Sequence, residues 1–363
     1  MSHDGPIPCA HIMDDLPDEG PTAPHDAPDA PILSLLDARC VRYDDPPPEP
    51  ITIYSINDQS ISTSGNLTAI SGQSKAGKST ALIAMVAAPF AKDAGRDFLG
   101  FESAPTDEKA VLVFDTEQSP FDAYTLQCRA LKRAGWTEQP PNLLHHYMLD
   151  MSVRERREAV FAGARRADKT APGVYAVFID GVADLLEDVN DAAEANALVS
   201  DLVRLSVEID APVIVVLHEN PAGQGGSGKT RGHLGSQLER KAESNLRVIK
   251  DTDGTSTIFG EKCRRAYIPQ HSGPRFSWDD QAGMHLSVEP AGVAKAETAR
   301  EKAQSDLAEI FDCPEALGGL AHGVLLERIN TIFAITKSGA RGRFDKLKAS
   351  GLIHKTPGNL WIR

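Results

Sequence analysis

The sequence predicts an α/β protein: a mostly parallel sheet with helices on both faces, followed by a small C-terminal winged-helix domain. Three observations predict it. Between residues 51 and 290, short apolar runs alternate with helical stretches, as expected for strands buried on both faces and joined by crossover helices. One strand-to-helix junction is a glycine-rich run, Gly72–Ser79, of the form G-x-x-x-x-G-K-[ST]. Residues 316–363 read as two amphipathic helices and a hairpin.

Residues 1–50 come first and read as a disordered leader. They hold eleven Asp/Glu against two Arg and no Lys, with eleven of the 24 prolines, so they have little to bury. Strands are expected at 67–71, Ala110 to Phe114, Val174 to Ile179 and Val213 to Leu217. Helices are expected at 79–90, 121–134, 153–167, 191–208 and 235–244. Four further runs, Leu246 to Lys250, Thr255 to Gly260, Arg275 to Trp278 and His285 to Val288, read as antiparallel strands joined by turns such as Asp253-Gly254. Residues 291–315 read as a helical linker. In 316–363, Val324 to Ile329 and Thr336 to Ala349 are the helices. The hairpin pairs Leu352 to Lys355 with Leu360 to Ile362.

The net charge of −13 argues against nucleic acid until it is mapped along the chain. Residues 322–363 hold eight Lys/Arg against two Asp/Glu, and Lys337, Arg341, Arg343, Lys346 and Lys348 all fall on the second helix. A basic helix beside a small β-ribbon suits a DNA backbone. The cysteines, at 9, 40, 128, 263 and 313, show no CxxC spacing, which points to a reducing cytoplasm and away from a zinc site. No membrane-spanning run and no signal peptide are legible.

The glycine-rich run carries the chemistry. Backbone N–H groups of Gly72, Gln73, Ser74, Lys75, Ala76 and Gly77, at a helix N-terminus with Thr80 in its first turn, suit the phosphates of ATP. Lys78 would reach the β- and γ-phosphates, and the Ser79 hydroxyl would ligate Mg²⁺. Lys75 adds a second cation that either touches phosphate or is solvated. A second match, Gly223–Thr230, lacks the context: Glu219-Asn220-Pro221 interrupts before it, and Gly232 and Gly235 after it argue against an immediate helix. It reads as a loop.

Hydrolysis needs more. Asp180, ending the apolar run from Val174, is placed at the strand edge for the Mg²⁺ shell. Glu117, two residues beyond Asp115, is free of the sheet and able to orient water, with Asp115 as its competitor. His218 either senses the γ-phosphate or is satisfied by local backbone.

In this order the motifs resemble the RecA-like ATPases, and within them the RepA and DnaB group of hexameric helicases. The resemblance covers about residues 51–280. It rests on Gly65–Ser79, on Val-Phe-Asp-Thr-Glu-Gln-Ser at 113–119, on Phe-Ile-Asp-Gly at 178–181, and on Val-Leu-His-Glu-Asn at 216–220 before a glycine-rich loop. It implies a RecA-like, mostly parallel sheet, Glu117 as catalytic base, and a loop at 220–235 that binds single-stranded DNA in a central channel, with Lys229 and Arg231 as phosphate contacts. It also implies that Lys262 and Arg264, with Arg265 as an alternative, reach the ATP of a neighbouring subunit in a hexamer. The expected function is an ATP-hydrolysing ring helicase or translocase of mobile-element type, its winged helix at 322–363 docking on duplex. The alternative is a nucleotide-switched DNA-binding regulator or loader that does not unwind.

Overall fold

The computed structural model describes residues 30–219, 232–288, 306–333, 335–349 and 352–362. They fall in two compact units, 1–49 and 50–363. Within the first, the leader carries a helix, α1 (Ala30–Asp37), which the sequence does not predict. Its eight residues form an apolar island among prolines, too short to show a helical period. The rest of the leader, 1–29, and residues 289–305 of the linker region lie outside the described residues.

The second unit is built on a nine-stranded sheet of order β12-β11-β10-β9-β3-β8-β7-β5-β6. Its parallel part comprises β3 (Leu67–Gly72), β5 (Ala110–Asp115), β6 (Leu143–Tyr147), β7 (Val174–Asp180), β8 (Val213–His218) and β9 (Ser244–Lys250). Strands β10 (Ser256–Cys263), β11 (Arg275–Asp279) and β12 (Met284–Val288) extend it antiparallel. A separate three-stranded sheet, β1 (Thr52–Ile56), β2 (Gln59–Thr63) and β4 (Phe101–Ser103), is not expected from the sequence. Neither is β6, whose Leu-Leu-His-His-Tyr run has too few apolar residues to register as a strand.

Helices cover both faces, as the sequence predicts. On one, α2 (Lys78–Ala87) and α3 (Pro120–Ala134) bury a cluster with Ile70, Val111, Phe178 and Ile214. On the other, α4 (Val153–Thr170), α5 (Ala192–Glu208) and α6 (Gly232–Lys241) pack on Leu67, Leu112, Ile179 and Val215. Alternate residues of each central strand serve opposite clusters, which is why the strands read as unbroken apolar runs. Side-chain caps fix the helix starts. Ser119 caps α3, Ser152 and Glu155 form a capping box on α4, and Asp191 caps α5.

One expectation fails at α6. The glycines at 232 and 235 argue against a helix directly after residue 231, yet α6 begins at Gly232. Gly232 takes φ +67° against the Val189 carbonyl, and Leu234, Gly235 and Leu238 are buried. Packing on α5 outweighs the cost of about 1 kcal/mol per helical glycine.

The C-terminal segment has its own core. Helices α7 (His322–Ile332) and α8 (Lys337–Ala349) precede an antiparallel ribbon of β13 (His354–Lys355) and β14 (Trp361–Ile362). Leu325, Ile329, Phe344, Ile353 and Trp361 cluster with Leu307, Ile310 and Phe311. Residues 306–311 therefore pack as part of this core, upstream of the boundary expected at 316. Among the described residues, no helix is long and apolar enough to cross a membrane.

Candidate nucleotide site

Register brings the polar ends of the parallel strands to one edge. Gly72 pairs with His218, and Asp115 pairs with Asp180. The loop from Gly72 to Gly77 leaves β3 and turns directly into α2. Two glycines permit the turn. A Cβ on Gly72 would lie 2.3 Å from the Val248 carbonyl oxygen. Gly77, at φ +101°, would place one 2.9 Å from the Phe276 ring. The Ser256 hydroxyl donates to the Ala76 carbonyl at 2.8 Å, so β10 and β11 back the loop. Gln73, Ser74 and Lys75 are exposed, and Lys75 takes a left-handed φ of +62°.

Lys78 is buried, and its Nζ donates to the Gln73 carbonyl at 2.8 Å and to His218 Nδ1 at 3.0 Å. His218 Nε2 lies 2.9 and 3.2 Å from the two Glu117 oxygens. An ammonium donating to Nδ1 leaves Nε2 as the N–H that donates to the carboxylate, so the arrangement requires the neutral imidazole tautomer. Burial pushes the Lys78 ammonium below its ordinary range, while Glu117, Asp180 and Glu219 oppose that push.

Asp180 ends β7 and is buried, with one carboxyl oxygen lacking a hydrogen-bond partner. Burial, then the Glu117 charge, pushes its carboxyl up to about 7, while a hydrogen bond with Ser79 pulls the other way. An orphaned oxygen on a carboxyl bonded to the P-loop hydroxyl fits Mg²⁺, which is held by one or two protein oxygens together with substrate phosphates. Among the described residues there is no cluster of three His, Cys, Asp or Glu that would make a separate metal cage.

The two acids after β5 differ in environment. Asp115 is buried and its Oδ1 accepts from the N–H groups of Glu117 and Gln118 at 3.0 and 2.9 Å. It therefore caps the turn that presents Glu117. Thr116 secures the same turn by donating to the Asp180 and Gly181 carbonyls at 2.9 and 3.1 Å.

Lys262 and Arg264 are not brought to this site. Cys263 pairs with Ser244, Ser244 with Thr68, and Thr68 lies four residues before Gly72. With about 3.3 Å per residue along the strands and, at right angles, two strand spacings of about 4.8 Å, they sit roughly 16 Å from their own phosphate loop. Lys262 pairs with Glu239 at 2.7 Å, Arg264 donates to the Lys241 carbonyl at 3.1 Å, and Arg265 lies 3.9 Å from Glu243. The second glycine-rich match, with Lys229 and Arg231, lies outside the described residues.

Several residues near the site are not singled out by the sequence. His285 Nδ1 is 3.4 Å from the Thr80 hydroxyl, and its ring stands edge-on to Trp278 at 5.4 Å. Arg133, buried in α3, donates to the His285 carbonyl at 2.6 Å and so fixes that strand. Glu219 and Arg247 form an ion pair at 2.7 Å, with the carboxylate buried. His285 sits between Met284 and Leu286, and Trp278 between Ser277 and Asp279, on short strands where no local signal separates them from ordinary hairpin residues.

Residues 58–224, just under half of the chain, match the model of a family described as AAA domain. Among solved structures, the chain is similar to one described as an ATPase domain. The identity is 14%, the match covers 62% of this chain and 85% of that one, and the TM-score is 0.44. No curated protein matches the chain.

Proposed function

We propose, with a P-loop ATPase domain as the premise, that this protein hydrolyses ATP with Mg²⁺ and works as a DNA-associated ring motor, a helicase or translocase on single-stranded DNA. The observation that carries the reading is the meeting of Lys78, Ser79, Glu117, Asp180 and His218 at one edge of one sheet. Lys78 and the P-loop amides would hold the polyphosphate. Bound Mg²⁺, held by Ser79 and Asp180, would neutralise charge on the phosphates. Glu117 would take a proton from the water that attacks the γ-phosphorus, and ADP would leave. His218, already bonded to both Lys78 and Glu117, would report the γ-phosphate. His285 and Trp278, beside Thr80, would be rings available to hold the adenine.

A ring is supported by the placement of Lys262 and Arg264 at the far end of the sheet, where a neighbour's nucleotide could meet them. A cation supplied this way stabilises charge on the transferred phosphoryl group. DNA contact is supported by one exposed face of α8, where Lys337, Arg341 and Lys348 follow helical spacing and Lys355 adds a cation from the ribbon. Asp345 interrupts that face. Arg343 is excluded from it: its Nε donates to Asp306 at 3.0 Å and its guanidinium stacks 3.8 Å from the Phe333 ring. We read this segment as a winged helix on duplex and the loop at 220–235 as the single-strand contact.

The test is ATP turnover with and without single-stranded DNA, followed by strand displacement on a forked duplex, with native mass measured in ATP. DNA-stimulated turnover, fork opening and a hexamer support the motor. Stimulated turnover that never opens a fork supports a regulator or loader instead. No turnover at any protein concentration would remove the ATPase reading.

A further inference from the structure

Three carboxylates, Glu117, Asp180 and Glu219, act electrostatically on the Lys78 ammonium and favour its charged form against the effect of burial. The first two have roles in the proposed chemistry. Glu219 has none, yet it is buried immediately after His218. An unpaired buried carboxylate costs several kcal/mol, so its partner should matter.

That partner is Arg247 of β9, which stands opposite Ser71 of β3. Its Nη2 donates to Glu219 Oε2 at 3.0 Å, and its Nε lies 2.7 Å from Oε1 in an ion-pair contact that is not a hydrogen bond. The Glu219 N–H donates to the Gly72 carbonyl at 3.1 Å. Because β3 lies between β8 and β9, the pair passes over β3 at the residues where the phosphate loop begins. Arg247 Nη1 continues to Glu261 of β10 at 3.4 Å.

We propose that Arg247 is a positioning residue for the nucleotide site that acts through Glu219: by pairing with it across β3, Arg247 cancels a negative charge that would otherwise stand beside the phosphate loop. The inference rests on the nucleotide reading above. It predicts effects of opposite sign from the two partners, because one carries the repelling charge and the other neutralises it. A purely structural pair would weaken binding from either side.

The experiment is calorimetric titration of the full chain with Mg²⁺-ATP, alongside thermal melting and steady-state turnover. Arg247→Met should weaken ATP about tenfold, one multiple of 1.4 kcal/mol. Glu219→Gln should bind at least as tightly as the wild type, and the double variant should return to within about threefold of it. Arg247→Lys should recover part of the loss. Should Arg247→Met fail to fold, Glu219→Gln decides alone: weaker binding overturns the proposal. Unchanged affinity in both single variants, or no recovery in the double, also overturns it while leaving the nucleotide reading intact. A wild type that binds no ATP removes both.

Discussion

The two ends of the central sheet are built in opposite ways. At the end where β3, β7 and β8 finish, ionisable groups are buried or half-buried and face one another: Lys78 bridges to Glu117 through His218, and Asp180 keeps an unpartnered oxygen. At the other end, Lys262, Arg264 and Arg265 are exposed and meet only local acids and carbonyls. The first end gathers charged groups around Lys78. The second offers cations with nothing of their own to act on. Under the proposed function, one protomer would hold most of the hydrolytic site and its far edge would act on a second copy.

The largest expected effect breaks this comparison at the far edge. If Arg264 acts in trans, Arg264→Ala should lower kcat by about 10³-fold or more. Mixing it with Glu117→Gln protein should restore turnover at some sites, measured as activity across mixing ratios. Activity that falls linearly with mixing would confine all the chemistry to one end of one protomer. At the near edge, Glu117→Gln should lower kcat by about 10²–10⁴-fold while ATP still binds, which single-turnover and binding assays distinguish. Lys78→Ala should lose binding as well.

A smaller effect sharpens the electrostatics of the near edge. Asp180 has its folded pKa raised to about 7 from an ordinary 3.8. Between those values the folded protein holds a proton that the unfolded chain has released. Stability of the nucleotide-free protein should therefore fall as pH rises from about 4 to about 7, by at most about 1.4 kcal/mol per unit. Asp180→Asn should flatten that slope in denaturant titrations at successive pH values; an unchanged slope would assign it to other groups. The smallest effect lies in the C-terminal core. Changing Lys337, Arg341 and Lys348 one at a time should each reduce the salt dependence of duplex binding by about one unit of log–log slope. Arg343→Ala should instead lower the melting temperature, because its charge is committed to Asp306. Equal loss of DNA binding from Arg343→Ala without loss of stability would reverse that division.

Much of the near edge is legible in the sequence alone. Apolar runs ending in Asp115, Asp180 and His218 mark strands that finish together, and the Gly72–Ser79 pattern marks the loop between them. The competition between Asp115 and Glu117 is visible there but open; the structure gives Asp115 the work of capping the turn. The edge strand β6, with two histidines in its five residues, carries too weak a pattern to be seen. At α6 the local rule about glycine is overruled by burial against α5. Arg343 looks like its basic neighbours because charge and helical spacing do not encode which face meets Asp306 and Phe333.

The sequence by itself determined the types of the central strands and helices, the phosphate loop and which strands end in acids. These follow from period, spacing and backbone preference within a few residues. Only the tertiary structure decided that His218 links Lys78 to Glu117, 140 and 101 residues away along the chain. It also decided that Arg247 neutralises Glu219 across β3, and that Lys262 and Arg264 lie beyond reach of their own phosphate loop. Those outcomes depend on strand order and register, which are settled by packing the whole sheet and leave no mark in any local stretch of sequence.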